Sequence, residues 1–295
     1  GTDIREYLGL DNQILDISIT PNRGDCFSVR GIAREISVIN DLPVQMPEIS
    51  ANTAGTAATP AVTVDAKEAC PRYLLQSISN IDRSIDTPKW MQDALVQSGL
   101  RSHNFLVDVT NYVLMELGQP LNEQTVTLTG DELVIADDKG ALALAGIMGG
   151  QRSSVTDSTT NIVVESAFFN QLAIAARARR FGLHTDASQR FERGVDFELP
   201  ALALARACDL ITSITGGEAG QIVTAENLEH LPARAPITLP IAKVSDVIGI
   251  DIEPSEMVRI LTQLGFDVEQ QSDSLICKPP SYRFDMSIRE DLIEE

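Results

Sequence analysis

Residues 141–196 constrain this chain more than any other stretch. They open with a short apolar run, Ala141, Leu142, Ala143, Leu144 and Ala145, and turn glycine-rich at Gly146, Gly149 and Gly150. They pass through Val163 and Val164 to Glu165, an acid closing an apolar strand pattern, and end on an arginine-rich segment from 177 to 193. Glycines in one turn let other atoms approach the backbone closely, because no Cβ stands in the way. A carboxylate ending a buried strand is costly unless it is paired or waiting for a partner. These two features predict a binding pocket with one acid in its wall.

The flanking sequence predicts short elements in irregular order. Residues 14–19 alternate as a strand, a turn follows at Pro21, Asn22 and Gly24, and a helix is expected from Ser28 to Ile39 with Asp25 as its cap. Residues 1–46 hold too little to close a core, so they are expected to complete a domain whose other part lies elsewhere, or to pack on a neighbour. Residues 47–62 read as a linker or an exposed strand pair. Residues 72–78 alternate as a strand, and a helix begins at Thr87, Pro88 and Lys89 with Thr87 as cap and Gly99 near its end. Residues 106–119 suit a strand or loop running into a helix that stops before Pro120.

Three strands are expected at 133–137, 141–145 and 162–165, then helices at 168–181 and 198–215, the second stopped by Gly216 and Gly217. Residues 226–236 form a polar boundary. Beyond it lie a short strand at 237–239, helices at 241–248 and 254–264, a hairpin over 267–277 and a helix starting at Ser287. Strands and helices mixed in this way predict an α+β fold, not a doubly wound sheet.

A net charge of -19 excludes a general grip on duplex DNA, which needs a basic face. Residues 237–295 follow suit, with more acids than bases. The four cysteines, Cys26, Cys70, Cys208 and Cys277, show no metal-binding spacing and read as free thiols of a reducing compartment. No apolar run reaches membrane-spanning length, so an intracellular, cytoplasmic protein is expected.

Five motifs carry a resemblance: ITPNRGDC at 19–26, VDVTNYV at 107–113, LAGIMGG at 144–150, GLHTDASQRFERG at 182–194 and PSYRFD at 280–285. In this order they resemble the bacterial phenylalanyl-tRNA synthetase beta-subunit family. The likeness covers nearly all of the chain but only the middle of that subunit. It implies an editing module over residues 63–225 and a small, mostly helical, DNA-binding-like domain over 237–295 that stops short at its C-terminus.

The resemblance also implies a function: hydrolysis of tyrosine mischarged onto the tRNA for phenylalanine, away from the aminoacylation site. An apolar pocket rejects an added hydroxyl only weakly, by roughly 100-fold, whereas a site that hydrogen-bonds the phenol can prefer tyrosine strongly. Glu165 is expected against the phenol oxygen, since a charged acceptor makes the stronger bond. Gly146, Gly149, Gly150 and Ala145 would lie along the substrate, Thr185 and Ala187 would shape the wall, and Asn111 would hold the substrate's amino or carbonyl group. No Ser/His/Asp or Cys/His set supplies a nucleophile, so a positioned water is expected to cleave the activated ester. The resemblance further implies an alpha subunit partner in a heterotetramer of two alpha and two beta chains, ATP bound outside this chain, and magnesium. Asp285, Asp291, Glu294 and Glu295 match the family's magnesium-associated carboxylates, an oxygen-only set suited to a hard cation, with weak or no occupancy expected in the isolated fragment.

The sequence departs from the family pattern after Leu121. About 25 to 30 residues, including the family's editing-site histidine, have no counterpart where Asn122 follows, and loop-length priors give no better ruler. Two plainer readings stand beside the editing one: Glu165 as a core acid satisfied by an amide or by Arg190, and the whole fragment as a non-catalytic scaffold for assembly and tRNA binding.

Overall fold

A computed structural model describes residues 3–7, 11–49, 55, 59–121, 132–156, 158–175 and 177–295. The junction of Leu121 with Asn122, where the sequence leaves the family pattern, falls outside them. The fold is α+β, and among the described residues it holds three three-stranded antiparallel sheets with helices packed on them.

The first half contains α1 (Ile4–Tyr7), α2 (Val29–Asn40), β1 (Arg72–Ser79), α3 (Lys89–Gln97) and α4 (Phe105–Leu117). It continues with β2 (Val134–Asp137), β3 (Gly140–Leu144), β4 (Met148–Gly149) and β5 (Ile162–Phe168). Then come α5 (Gln171–Ile174), α6 (Arg177–Arg180), α7 (Asp186–Arg193), α8 (Leu199–Thr215) and β6 (Glu218–Glu226). The last unit holds β7 (Ile237–Pro240), α9 (Ile241–Ile248), α10 (Pro254–Gln263), β8 (Asp267–Gln270), β9 (Ser274–Lys278) and α11 (Arg289–Glu294).

β1 is the middle strand of the sheet β5-β1-β6, and both of its faces are covered. On one face Leu74, Ile78 and Val164 pack with Met91 and Leu95 of α3, Val109 and Val113 of α4, and Leu204, Cys208 and Ile211 of α8. The spacing of Leu204, Cys208 and Ile211 puts one apolar stripe of α8 on the sheet, and Gly216 ends that helix at φ 69°. Tyr73, Leu75 and Ala167 point to the opposite face, where Leu144, Ala145, Ile147, Met148, Ile174 and Phe191 complete a second core. A third core, built around Leu239, Met257, Leu261, Leu275 and Cys277, belongs to residues 237–295, and Val38 of α2 packs against it.

Several expectations shift. Residues 14–19 form no strand, and Ile14, Leu15 and Ile17 are exposed; alternation alone does not make a strand where no neighbouring strand takes its backbone hydrogen bonds. The cap of α2 is Ser28, whose hydroxyl accepts from Gly31 N at 3.0 Å, while Asp25 is drawn off to Arg23. Thr87 does not cap α3, for its hydroxyl donates to the buried Asp108 at 2.5 Å. Residues 105–117 are helical throughout because Asn104 caps them through Val107 N. The single helix expected over 168–181 is instead the end of β5 followed by two short helices. Phe168 is still paired with Arg72, and Asn170 then starts α5. β6 and α7 are elements that the sequence reading did not mark.

One aromatic contact joins the last unit to the first. Phe284 stacks on Phe168 with ring centroids 6.4 Å apart, and Arg234 lies over both Phe284 and Phe197. Gly194 leaves room for this ring: a Cβ there would stand 2.7 Å from Phe284 Cδ2.

Candidate functional site

Glu165 sits opposite Leu75 in the β1–β5 ladder, two residues from the pair Tyr73 and Ala167. Directly opposed residues of antiparallel strands share a face, so Glu165 points with Tyr73 into the second core. There its Oε2 accepts a hydrogen bond from the Tyr73 hydroxyl at 3.0 Å. Oε1 takes none from any described residue, and Glu165 keeps partial exposure. Burial pushes the Glu165 carboxyl up to about 7, the Tyr73 bond pulling part of the way back. Burial, with the Glu165 charge adding to it, raises the Tyr73 phenol well above its ordinary range and the Cys70 thiol to about 12.

Arg190 is not the partner of Glu165. It is buried against Asp186 at 3.0 Å, Phe27 O at 3.2 Å and Met115 Sδ at 3.7 Å. Tyr73 was missing from the sequence-based set. The alternation of β1 assigns it a face, but only the strand register brings it to an acid 92 residues away.

The glycine-rich turn lies on the same core. Ala143 pairs with Gly149 and Leu144 with Met148, and Ala145 N donates to Leu133 O at 2.9 Å. Gly146 has φ +68°, and a Cβ on it would stand 2.9 Å from Ile174 Cδ1 and 3.0 Å from Phe169 Cδ2. A Cβ on Gly150 would come within 2.2 Å of Leu142 O. Packing and chain reversal therefore account for both. Gly146→Ala is expected to cost about 1–3 kcal/mol from overpacking and a positive φ; an unchanged thermal midpoint would contradict that.

Thr185 and Ala187 are brought to this turn by α7. The Thr185 hydroxyl accepts from Ser188 N and donates to Ile147 O, each at 3.0 Å, which fixes the start of α7 on the β3–β4 turn. Ala187 is buried beside it, and His184 is exposed. Asn111 is half-buried on α4, one turn before Met115, which meets Arg190 of α7. Residues i and i+4 share a helix face, so Asn111 lies on the α7 side of α4.

The four C-terminal acids do not gather around one point. Arg283, 1% exposed, binds Asp285 at 2.9 Å and also pairs with Glu295. Asp291 accepts from Ser287 N and Ile288 N at the start of α11, and Glu294 is exposed. Among the described residues the group with three ligand atoms within 4.8 Å of one another is Asp25, Cys26 and Glu35, and Arg23 already lies on both of those carboxylates. The described residues thus do not form a cage for a hard cation. Added magnesium is expected to leave the melting temperature of this chain within about 1 °C, since only a ligand binding the native state raises it. A rise of several degrees would show a cage that these side-chain pairings hide.

A cavity of about 680 Å³ lies apart from Glu165, between α2, the start of α8 and the last unit, lined by Arg30, Asp196, Glu198, Arg234, Lys278 and Tyr282 among others. The four cysteines are free and buried. Among the described residues no helix is long and apolar enough to cross a membrane.

The family described as B3/4 domain matches residues 69–123 and 120–216, in two pieces that meet just where the sequence leaves the family pattern. The tRNA synthetase B5 domain matches residues 237–295. A phenylalanine–tRNA ligase beta subunit of Psychrobacter arcticus is 80% identical over 323 aligned positions, which take in all of this chain and 40% of that protein. That of Acinetobacter baylyi is 51% identical over 322, again with 100% of this chain and 40% of the relative covered. The first alignment is 28 positions longer than the 295 residues present, so at least that many positions of the relative face none here. A crystallised N-terminal fragment of a phenylalanyl-tRNA synthetase beta subunit from Pyrococcus horikoshii is looser, with TM-score 0.39 and 14% identity over 94% of this chain and 84% of that one.

Proposed function

Because the chain belongs to the phenylalanine–tRNA ligase beta-subunit family and spans its central portion with a B3/4 and a B5 domain, we propose that its B3/4 region edits: it hydrolyses tyrosine mischarged onto the tRNA for phenylalanine. One observation carries the reading. A half-buried carboxylate on a sheet face keeps one oxygen without a hydrogen-bond partner among the described residues, next to a core that holds the glycine turn and the start of α7. An acceptor of that kind rewards a ligand bearing a hydroxyl and leaves one lacking it with an unmet polar group, which is where the large selectivity ratios come from.

In this proposal Glu165 Oε1 accepts a hydrogen bond from the substrate's phenolic hydroxyl. Ala145, Gly146, Gly149 and Gly150 form the floor, Thr185 and Ala187 the wall, and Asn111 approaches from α4. No side chain attacks; a water held by polar groups of the pocket cleaves the ester, helped by positioning. Deacylation of tyrosyl-tRNA and phenylalanyl-tRNA by this chain tests the reading, and equal rates on both would end it.

The wider assembly is proposed on family grounds: an alpha subunit, two of each chain, tRNA for phenylalanine, and a cytoplasmic setting. ATP and magnesium belong to the whole ligase, and no step here is assigned to the metal, since Asp285 and Glu295 are taken up by Arg283. The rival reading is an assembly and tRNA-binding scaffold. It draws support from the Tyr73 bond, which already gives Glu165 an internal partner.

A further inference from the structure

We infer that Tyr73 is a positioning residue for Glu165, an internal phenol that fixes one carboxylate oxygen and turns the other toward the phenol of the substrate. The inference rests on the editing reading above and goes one residue beyond it.

Tyr73 and Glu165 lie on adjacent strands and on the same face, offset by two residues along the ladder, a diagonal that long side chains can span. The Tyr73 ring is held in the second core and is 8% exposed, so its hydroxyl has few other places to go. It donates to Oε2 at 3.0 Å, and Oε1 takes no bond from any described residue. A carboxylate on three rotatable bonds loses side-chain freedom when it binds a ligand. One that is already tied at a single oxygen has lost most of it beforehand, and preorganised acceptors bind better for that reason.

The second effect is on charge. Burial favours the neutral carboxyl of Glu165, and the Tyr73 bond favours the ionised one. Among the described residues the ionisable groups that Glu165 meets are Tyr73 from β1 and Cys70 just before it, and both stay protonated near neutral pH because burial raises each of them. Around neutrality, then, the charge that changes in this corner is that of Glu165. Without the Tyr73 hydroxyl its ionised form becomes harder to reach.

The test compares the wild-type chain with Tyr73→Phe and Glu165→Gln, using tyrosyl-tRNA and phenylalanyl-tRNA across neutral pH. Tyr73→Phe keeps the ring that fills the core. It is expected to lower tyrosyl-tRNA kcat/KM about tenfold near neutrality, the worth of one hydrogen bond to a charged group. It is also expected to move the half-maximal pH upward, so that most of the loss is recovered in alkaline buffer. Loss on both substrates alike, with the pH midpoint unmoved, would mark a packing defect and overturn the inference. A carbon NMR titration of side-chain-labelled glutamate in the same chain, assigned with Glu165→Gln, reads the hold without any substrate. If the Glu165 midpoint fails to rise in Tyr73→Phe, the hold does not exist. If it rises while the wild-type chain shows no preference for tyrosyl-tRNA, the hold is real but the editing reading fails, and the use proposed for the hold falls with it.

Discussion

Glu165→Ala is expected to lower kcat/KM for tyrosyl-tRNA by about 10- to 100-fold and to erase the preference over phenylalanyl-tRNA. A hydrogen bond to a charged acceptor is worth about 1.5–3 kcal/mol, and each 1.36 kcal/mol is tenfold in rate. The pH dependence follows from the same group. The carboxyl of Glu165 is raised to about 7; it is an acid, so it carries charge above that value and is neutral below it. Tyrosine-specific hydrolysis is therefore expected to climb from about pH 6 to about pH 8, and the climb should vanish in Glu165→Gln. A pH profile unaltered by that substitution, or an undiminished tyrosyl rate in Glu165→Ala, would remove Glu165 from the site.

The largest effect on stability is expected at Arg283. Arg283→Met keeps much of the volume but strips the cation from Asp285 and Glu295, which are nearly as buried as the arginine. Leaving buried charges unpaired costs about 3–5 kcal/mol, so the urea midpoint followed by far-UV circular dichroism should fall clearly. Replacing all three residues with apolar ones of similar size should recover much of the loss, because what hurts is the orphaned charge rather than the missing bridge. A single variant as stable as the parent would show that water reaches this cluster.

These two sites were legible in the sequence to different degrees. Helix α8, helix α10 and the β8–β9 hairpin could be read because their signals are local: apolar residues at helical spacing, a Gly216 stop, and turn residues between alternating strands. β5 was legible up to Glu165 for the same reason. What its acid meets was not, since the Tyr73 bond depends on strand register across a long separation. Residues 14–19 misled in the opposite sense, as an alternating pattern that no strand accepts. The boundary between β5 and α5 had a visible sign in Asn170, which was outweighed by the apolar residues around it. The start of α7 had one in Thr185 and Ser188, three residues apart as capping pairs are. β6 had little to show, because small and polar residues occupy much of it. The C-terminal acids match a family cation set by sequence, yet Arg283 takes up Asp285 and Glu295 while Asp291 is held at the start of α11, pairings that only the three-dimensional structure shows.

The ring of Phe284 bears on anyone who would build chimaeras of these proteins. A graft cut in the polar stretch before Ile237 would look clean on paper, but the seam between the two parts is not there. It runs through Phe284 resting on Phe168 and Gly194 under the guanidinium of Arg234. A donor B5 segment with another residue at that ring would leave a hole at the foot of the strand that carries Glu165, so compatible parents must match at these scattered positions before they match at the junction.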